Sequence, residues 1–336
     1  MSKIVDFAKR IRRGTGFKSA IATPRRLAIA ARQRGNHGIY SIEIEARAGF
    51  FAVMQTILFI LVHCEHKKLY PNITAKGGIY GDSAGEIDWF GLLFESLAVA
   101  DQSIQKRLNS QENIHTSRIQ GVEDLDLRAK YEMVLTLQQA STIFNSHYRP
   151  RPDVLAEVDV VARNLGISSS TLALHYRGTD KIHEAGSVSW DVIYEAVKKI
   201  SAEKPTLKNI LLASDDAGFI ESFQKHSFEI PVIIAPAAYM PKGSTPIHFS
   251  GHPGLAIGRE ALLTCLLLAR CGFLIKTASY LSGWSKVFSP SLPTWLLSPQ
   301  FGTGRFPDRA LWKDQLEGRN GFSITSREFS APGEQT

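Results

Sequence analysis

Histidine, arginine, aspartate and lysine fall within the seven positions His175-Tyr176-Arg177-Gly178-Thr179-Asp180-Lys181, directly after the apolar run Leu172-Ala173-Leu174. Such a run reads as a buried strand, and in an open α/β sheet ligands bind just beyond the carboxyl ends of strands. A cationic cluster at that place suits an anion, most simply a phosphate, with Arg177 as a bidentate donor. Two later segments share the form: Ser214-Asp215-Asp216 follows the apolar stretch 210–213, and Lys276-Thr277-Ala278-Ser279 follows 273–275. If the three strands run parallel, all three clusters meet at one sheet edge. Arg177, Ser279 and the backbone N–H groups of a helix start could then hold a phosphate. Asp215 and Asp216 could accept hydrogen bonds from a base or a sugar. Together these describe a nucleotide site. Each piece also has a plainer reading: Asp215-Asp216 as a helix cap, and Arg177 as an ion-pair partner of Asp180.

Other chemistries find little support. The chain has neither G-x-G-x-x-G nor G-x-x-x-x-G-K-[ST], so neither a nicotinamide cofactor nor P-loop chemistry is indicated. Asp215-Asp216 is not the Asp-x-Asp pair that holds a metal and a sugar nucleotide in other transferases. Cys64, Cys265 and Cys271 lie in apolar surroundings without metal-ligand spacing, which fits a reducing cytosol. His63 and His66 read as packed or capping groups. His248 and His252, in a Gly/Pro-rich loop, either flank a base or are ordinary loop residues.

The elements that must position these residues can be traced along the chain. Residues 39–44 read as a strand, Ala48-Gly49-Phe50 as a tight turn, 50–64 as a buried apolar helix and 69–73 as the next strand. The apolar helix falls short of the roughly 20 residues that span a bilayer. Leu127, Tyr131, Val134, Leu135 and Ile143 recur at helical spacing over 127–144, and the prolines of Tyr148-Arg149-Pro150-Arg151-Pro152 end that pattern. Further on, strands at 171–174, 210–213, 232–234 and 273–275 alternate with helices. One of these is capped by Ser189 and carries Val192, Ala196, Val197 and Ile200 on its apolar face; another covers 260–270. Repeated βα units predict a doubly wound parallel sheet.

With 336 residues, two domains are expected. We divide the chain into a basic arm (1–34), a first Rossmann-like domain (35–150), a second one carrying the nucleotide site (151–313) and a polar tail (314–336). The net charge of +7 is concentrated in the arm, where ten Lys/Arg face the single acid Asp6, leaving −2 for the remainder. Ile4, Val5, Phe7, Ala8 and Ile11 alternate there with Lys3, Lys9, Arg10, Arg12 and Arg13, as in a segment lying on an anionic membrane surface. A solvated tail is the other reading. Nucleic acid is not an expected partner, because the arm lacks interleaved aromatics and a known module. No secretory signal is evident, so a cytoplasmic location is expected, with the arm at the inner face of a membrane if it binds lipid.

The motifs resemble those of the α-1,6-fucosyltransferases. His175–Lys181 is similar to their first motif, which often reads H-V-R-R-T-D-K; Leu211-Leu212-Ala213-Ser214-Asp215-Asp216 is similar to a second, a strand ending in A-T-D-D. Residues 261–279 look like the third, and Gly49-Phe50-Phe51-Ala52-Val53-Met54-Gln55 looks like the glycine-rich start of the first domain. The matches keep the family's order, and the chain length is nearer to the nodulation type than to the eukaryotic enzymes. The resemblance implies a GT-B architecture, two Rossmann-like domains with the active site between them. It implies GDP-fucose as donor and inverting transfer without a metal ion or other cofactor. Carried over, Arg177 would hold the β-phosphate and stabilise the leaving group, and His175, Asp216, Ser279 and Gly49 would line the donor site. Two departures stand out. Gly178 replaces the family's second arginine, and the acid after the lysine is displaced to Glu184, beside His183. Glu184 is the first candidate for the base that takes the acceptor's proton; Asp82 and Glu95 are the others. The acceptor expected is an oligosaccharide or a lipid-linked glycan. Two further readings are a GT-B transferase using another sugar nucleotide and a noncatalytic nucleotide-sugar-binding protein at a membrane.

Overall fold

The computed structural model describes residues 38–82, 84–97, 114–120, 125–178, 188–239, 247–297 and 304–319. The basic arm, His183 and Glu184 lie outside the described residues. The first half contains β1 (Gly38–Ala46), α1 (Phe50–Lys67), β2 (Leu69–Gly78), α2 (Trp89–Leu93), β3 (Phe94–Ser96), β4 (Ile114–Gln120), α3 (Leu125–Tyr131), α4 (Leu137–His147) and β5 (Tyr148–Pro150). The second contains α5 (Pro152–Leu165), β6 (Thr171–Tyr176), α6 (Trp190–Glu203), β7 (Asn209–Ser214), α7 (Ala217–Lys225), β8 (Val232–Ile234), α8 (Gly254–Leu268), β9 (Phe273–Lys276), α9 (Tyr280–Phe288), β10 (Thr294–Leu296) and α10 (Asp308–Leu316).

Both larger sheets are parallel, as the alternation of βα units predicts. In the first half β1 lies between β2 and β4. In the second the order is β10-β9-β6-β7-β8. Numbered within that half, this is the doubly wound order 3-2-1-4-5, whose chain direction of winding reverses between β6 and β9. Every residue of β6 is buried, as expected of a central strand covered on both faces. Its alternate residues feed two cores. Leu172, Leu174 and Tyr176 join Ile193, Val197 and Ile200 of α6. Ala173 joins a larger cluster that includes Phe51 of α1, Phe144 of α4 and Trp284 of α9. That second core crosses the expected boundary at residue 150. Trp284 sits 5.2 Å from the Phe144 ring and 5.9 Å from that of Phe51, so α9 packs against the first half. Helix α1, apolar and 18 residues long, is buried inside this core along most of its length.

Several expected elements differ in detail. The periodic stretch 127–144 forms two helices, because the Thr136 side chain accepts from Gln139 N and Gln139 reaches back, a capping box that starts a new helix. Val134, expected on the apolar face, is 68% exposed in the turn between them. In α6, Ser189 caps as expected, but Ile193 rather than Val192 begins the buried i, i+3, i+4, i+7 stripe. The prolines at 150 and 152 end β5 and open α5, where a missing N–H costs nothing in the first turn. Helix α8 begins at Gly254, six residues before the predicted start. The boundary at 314 falls inside α10, whose Gln315 is fully buried. Its amide accepts from Leu296 N at 2.8 Å and donates to Leu296 O at 3.3 Å. This caps the edge strand β10 and leaves that part of its ladder covered.

Candidate functional site

The three polar clusters do meet at one edge. His175 lies opposite Lys276 of β9, and Tyr176 opposite Ser214 of β7. The turns beyond these strands are tied together. The Arg177 N–H donates to Thr277 Oγ1 at 3.0 Å, and the Gly178 N–H donates to Asp215 Oδ1 at 3.0 Å. Thr277 N–H in turn donates to the His175 carbonyl at 3.1 Å. The cluster therefore sits at the sheet's switch point, where doubly wound folds open a ligand crevice.

Arg177 pairs with Asp215, Nε to Oδ2 at 3.4 Å, both side chains about one-fifth exposed. The alternative partner from the sequence, Asp180, lies outside the described residues. Asp216 caps α7, its Oδ1 accepting from Phe219 N at 3.0 Å; the helix-cap reading of this residue is correct. Its second oxygen faces Gly178. A Cβ on Gly178 would lie 2.6 Å from Asp216 Oδ2 and 2.7 Å from the Tyr176 ring, so a side chain there requires one of them to shift.

His175 is only 6% exposed, and its Nδ1 has no hydrogen-bond partner among the described residues. Burial, reinforced by Lys276 and then Arg177, holds its imidazole down at about 3. It is therefore neutral, one ring nitrogen a donor and the other an acceptor. A cavity of about 360 Å³ opens beside it, lined also by Arg177, Asp215, Ala237, Tyr239 and Glu260. Glu260 shapes the far wall, accepting from Ala238 N at 2.8 Å and from Tyr239 N at 3.4 Å. A neutral, directional imidazole and a guanidinium lining the same cavity fit a ligand with a polar heterocycle and an anionic group.

Ser279 is buried at the start of α9, but its N–H is already donated to Asp308 Oδ2 at 2.8 Å. Ser279 can therefore offer an incoming anion its hydroxyl rather than its own amide. Gly49 precedes α1 and faces His248, whose Cε1 is 3.6 Å from the position of a Cβ there. The first half approaches Arg177 through Tyr80. Burial pushes that phenol up, while the Phe50 N–H and the nearby Arg177 charge act the other way.

The two described alternatives for a base have local duties. Asp82 accepts from Ile87 N and Glu86 N, both at 2.9 Å; the first of these bonds is the main reason its carboxyl lies below the usual range. Glu95 bonds Arg149 across the antiparallel β3–β5 pair. His63 and His66 pack against Tyr131, and His63 against Tyr40 too, as expected of packed groups. His252 lies against Tyr239 at 5.0 Å between ring centroids. Sequence reasoning passed over Tyr80, Glu260 and Asp308. Each reaches the site from a distant segment, and no local pattern marks it.

No family model matches the chain, and no curated protein does. Among solved structures it is similar to a NodZ α-1,6-fucosyltransferase soaked with GDP-fucose, at 14% identity and a TM-score of 0.49 over 76% of this chain and 93% of that one. A fucosyltransferase NodZ from Bradyrhizobium gives 14% and 0.49 over 77% and 94%. An Arabidopsis thaliana FUT1 variant in complex with GDP gives 12% and 0.46 over 82% and 73%.

Proposed function

We propose that this protein is an inverting, metal-independent glycosyltransferase of GT-B architecture that transfers fucose from GDP-fucose to a glycan. The observation that carries the proposal is the convergence of Arg177, Asp215, Asp216 and Ser279 with the buried neutral His175 at the switch point of one parallel sheet. The ordered motifs that resemble the fucosyltransferases name the donor.

The charges suggest the chemistry. Breaking the sugar–phosphate bond leaves both bonding electrons on the β-phosphate oxygen of GDP. A fixed guanidinium at Arg177 and the dipole of α9 stabilise that charge, with the Ser279 hydroxyl as a further donor. The sugar carbon, electron-poor in an oxocarbenium-like state, is attacked from the opposite face by an acceptor hydroxyl. The hydroxyl proton passes to a carboxylate, for which Glu184 remains the candidate. His175 and Asp216 border the donor, His175 towards its base, with Gly49 on the first-half side. The Arg177–Asp215 contact keeps the guanidinium in place before the donor arrives and can loosen as phosphate takes over. Substituting Arg177→Ala should lower turnover by roughly 10²–10³-fold, the usual loss for one charge-stabilising donor, while acceptor binding changes little. Steady-state kinetics with GDP-fucose checks this, and unchanged turnover would sink the leaving-group role.

A further inference from the structure

The turn Thr277–Ser279 is held from behind by a buried ion pair that the proposed reaction does not use. Lys276, the last residue of β9, is completely buried, and its ammonium bonds the Asp308 carboxylate and the Ser279 carbonyl, the latter at 3.3 Å. The second oxygen of Asp308 accepts the Ser279 N–H at 2.8 Å. One carboxylate thus neutralises a buried cation and fixes the peptide on either side of Ser279. On its other side the turn holds the Arg177 backbone through Thr277 Oγ1 at 3.0 Å.

Asp308 is itself rigidly placed. It opens α10, whose Leu311 and Gln315 are fully buried and whose Gln315 grips both backbone groups of Leu296. The helix start presses on α9 so closely that a Cβ at Gly283 would lie 2.8 Å from Asp308 Oδ1. A buried ammonium without its counter-ion is strongly unfavourable, whereas an apolar replacement of the whole pair is tolerated. The pair therefore marks where the turn must stand.

We propose that Asp308 is a positioning residue for donor binding: through the Ser279 amide it sets the turn that presents the Ser279 hydroxyl and anchors Arg177. The inference rests on the donor reading above. Its test avoids an orphaned lysine by working in a Lys276→Met background, with either Asp308→Asn, which still accepts the Ser279 amide, or Asp308→Ala, which cannot. GDP affinity is measured by calorimetry, and folding by thermal unfolding. The Met/Asn protein should bind GDP within about threefold of wild type, and the Met/Ala protein about tenfold or more weakly, as fits loss of the hydrogen bond that orients the turn. The unfolding temperatures of the two variants should be similar. Equal GDP affinity of the two variants overturns the positioning role. A wild-type protein that does not bind GDP overturns the donor reading, and this inference with it.

Discussion

At the scale of single residues, a guanidinium and a neutral imidazole line one small cavity, and among the described residues Arg177 is the cation there. Gly178 stands against Asp216 and the Tyr176 ring, so a side chain there requires one of them to shift. Replacing it, Gly178→Arg, should destabilise the fold by about 1–3 kcal/mol, the usual cost of overpacking a tight site, and should weaken rather than improve donor binding. Urea unfolding and GDP titration check both parts. His175 makes the second residue-scale prediction. Its folded value of about 3 lies below the ordinary 6.5, so the unfolded chain binds the proton first as pH falls. The stabilising contribution is complete above about pH 6.5 and is lost as pH drops towards about 3. Between about pH 7 and about pH 5 the wild type should lose about 2 kcal/mol that His175→Gln does not lose. Parallel pH slopes for the two proteins would show that the imidazole titrates freely.

At the scale of elements, glycine does most to decide how the two halves touch. Gly254 at the start of α8 lies against the backbone of Ile79, and a Cβ there would stand 2.9 Å from Tyr80 Cα. One turn on, Gly258 gives the same closeness to the Phe50 and Tyr80 rings, 3.1 Å each. Gly254→Ala should therefore push α8 away from the β2 end and destabilise by about 1–3 kcal/mol, seen as a drop of several degrees in thermal unfolding. An unchanged transition would show that the contact gives way freely. These glycines also explain why the sequence places the start of α8 too late: helix-averse residues chosen for close approach hide a helix from propensity. The strands were the legible part. β6, β7 and β9 announce themselves as apolar runs ending in polar clusters, and their parallel pairing brings those clusters together as expected. The β3–β5 pair and α10 carry no comparable pattern. Two three-residue strands give no periodicity, and α10 is polar on the outside, with Leu311 and Gln315 as its buried anchors and Phe306 buried just before it.

At the scale of the whole molecule, two parallel α/β units share a core through α1, α4, α8 and α9. The second half supplies the cavity and its charges. From the first half, Tyr80 approaches Arg177 and Gly49 faces His248. What the sequence marked locally, the strand-end clusters, is the part that a ligand would touch. Of the residues it left unmarked, Asp308 holds the third cluster through Lys276 and the Ser279 amide, and Glu260 holds the Ala238 and Tyr239 amides beside the cavity. We infer that this cavity recognises a guanine sugar nucleotide. The direct measurement is a calorimetric panel of GDP, GDP-fucose, UDP and UDP-sugars against the full-length protein. GDP and GDP-fucose should bind, with uridine nucleotides weaker by at least about tenfold, or about 1.4 kcal/mol. Preferential binding of a uridine nucleotide, or no binding of either class, would contradict it.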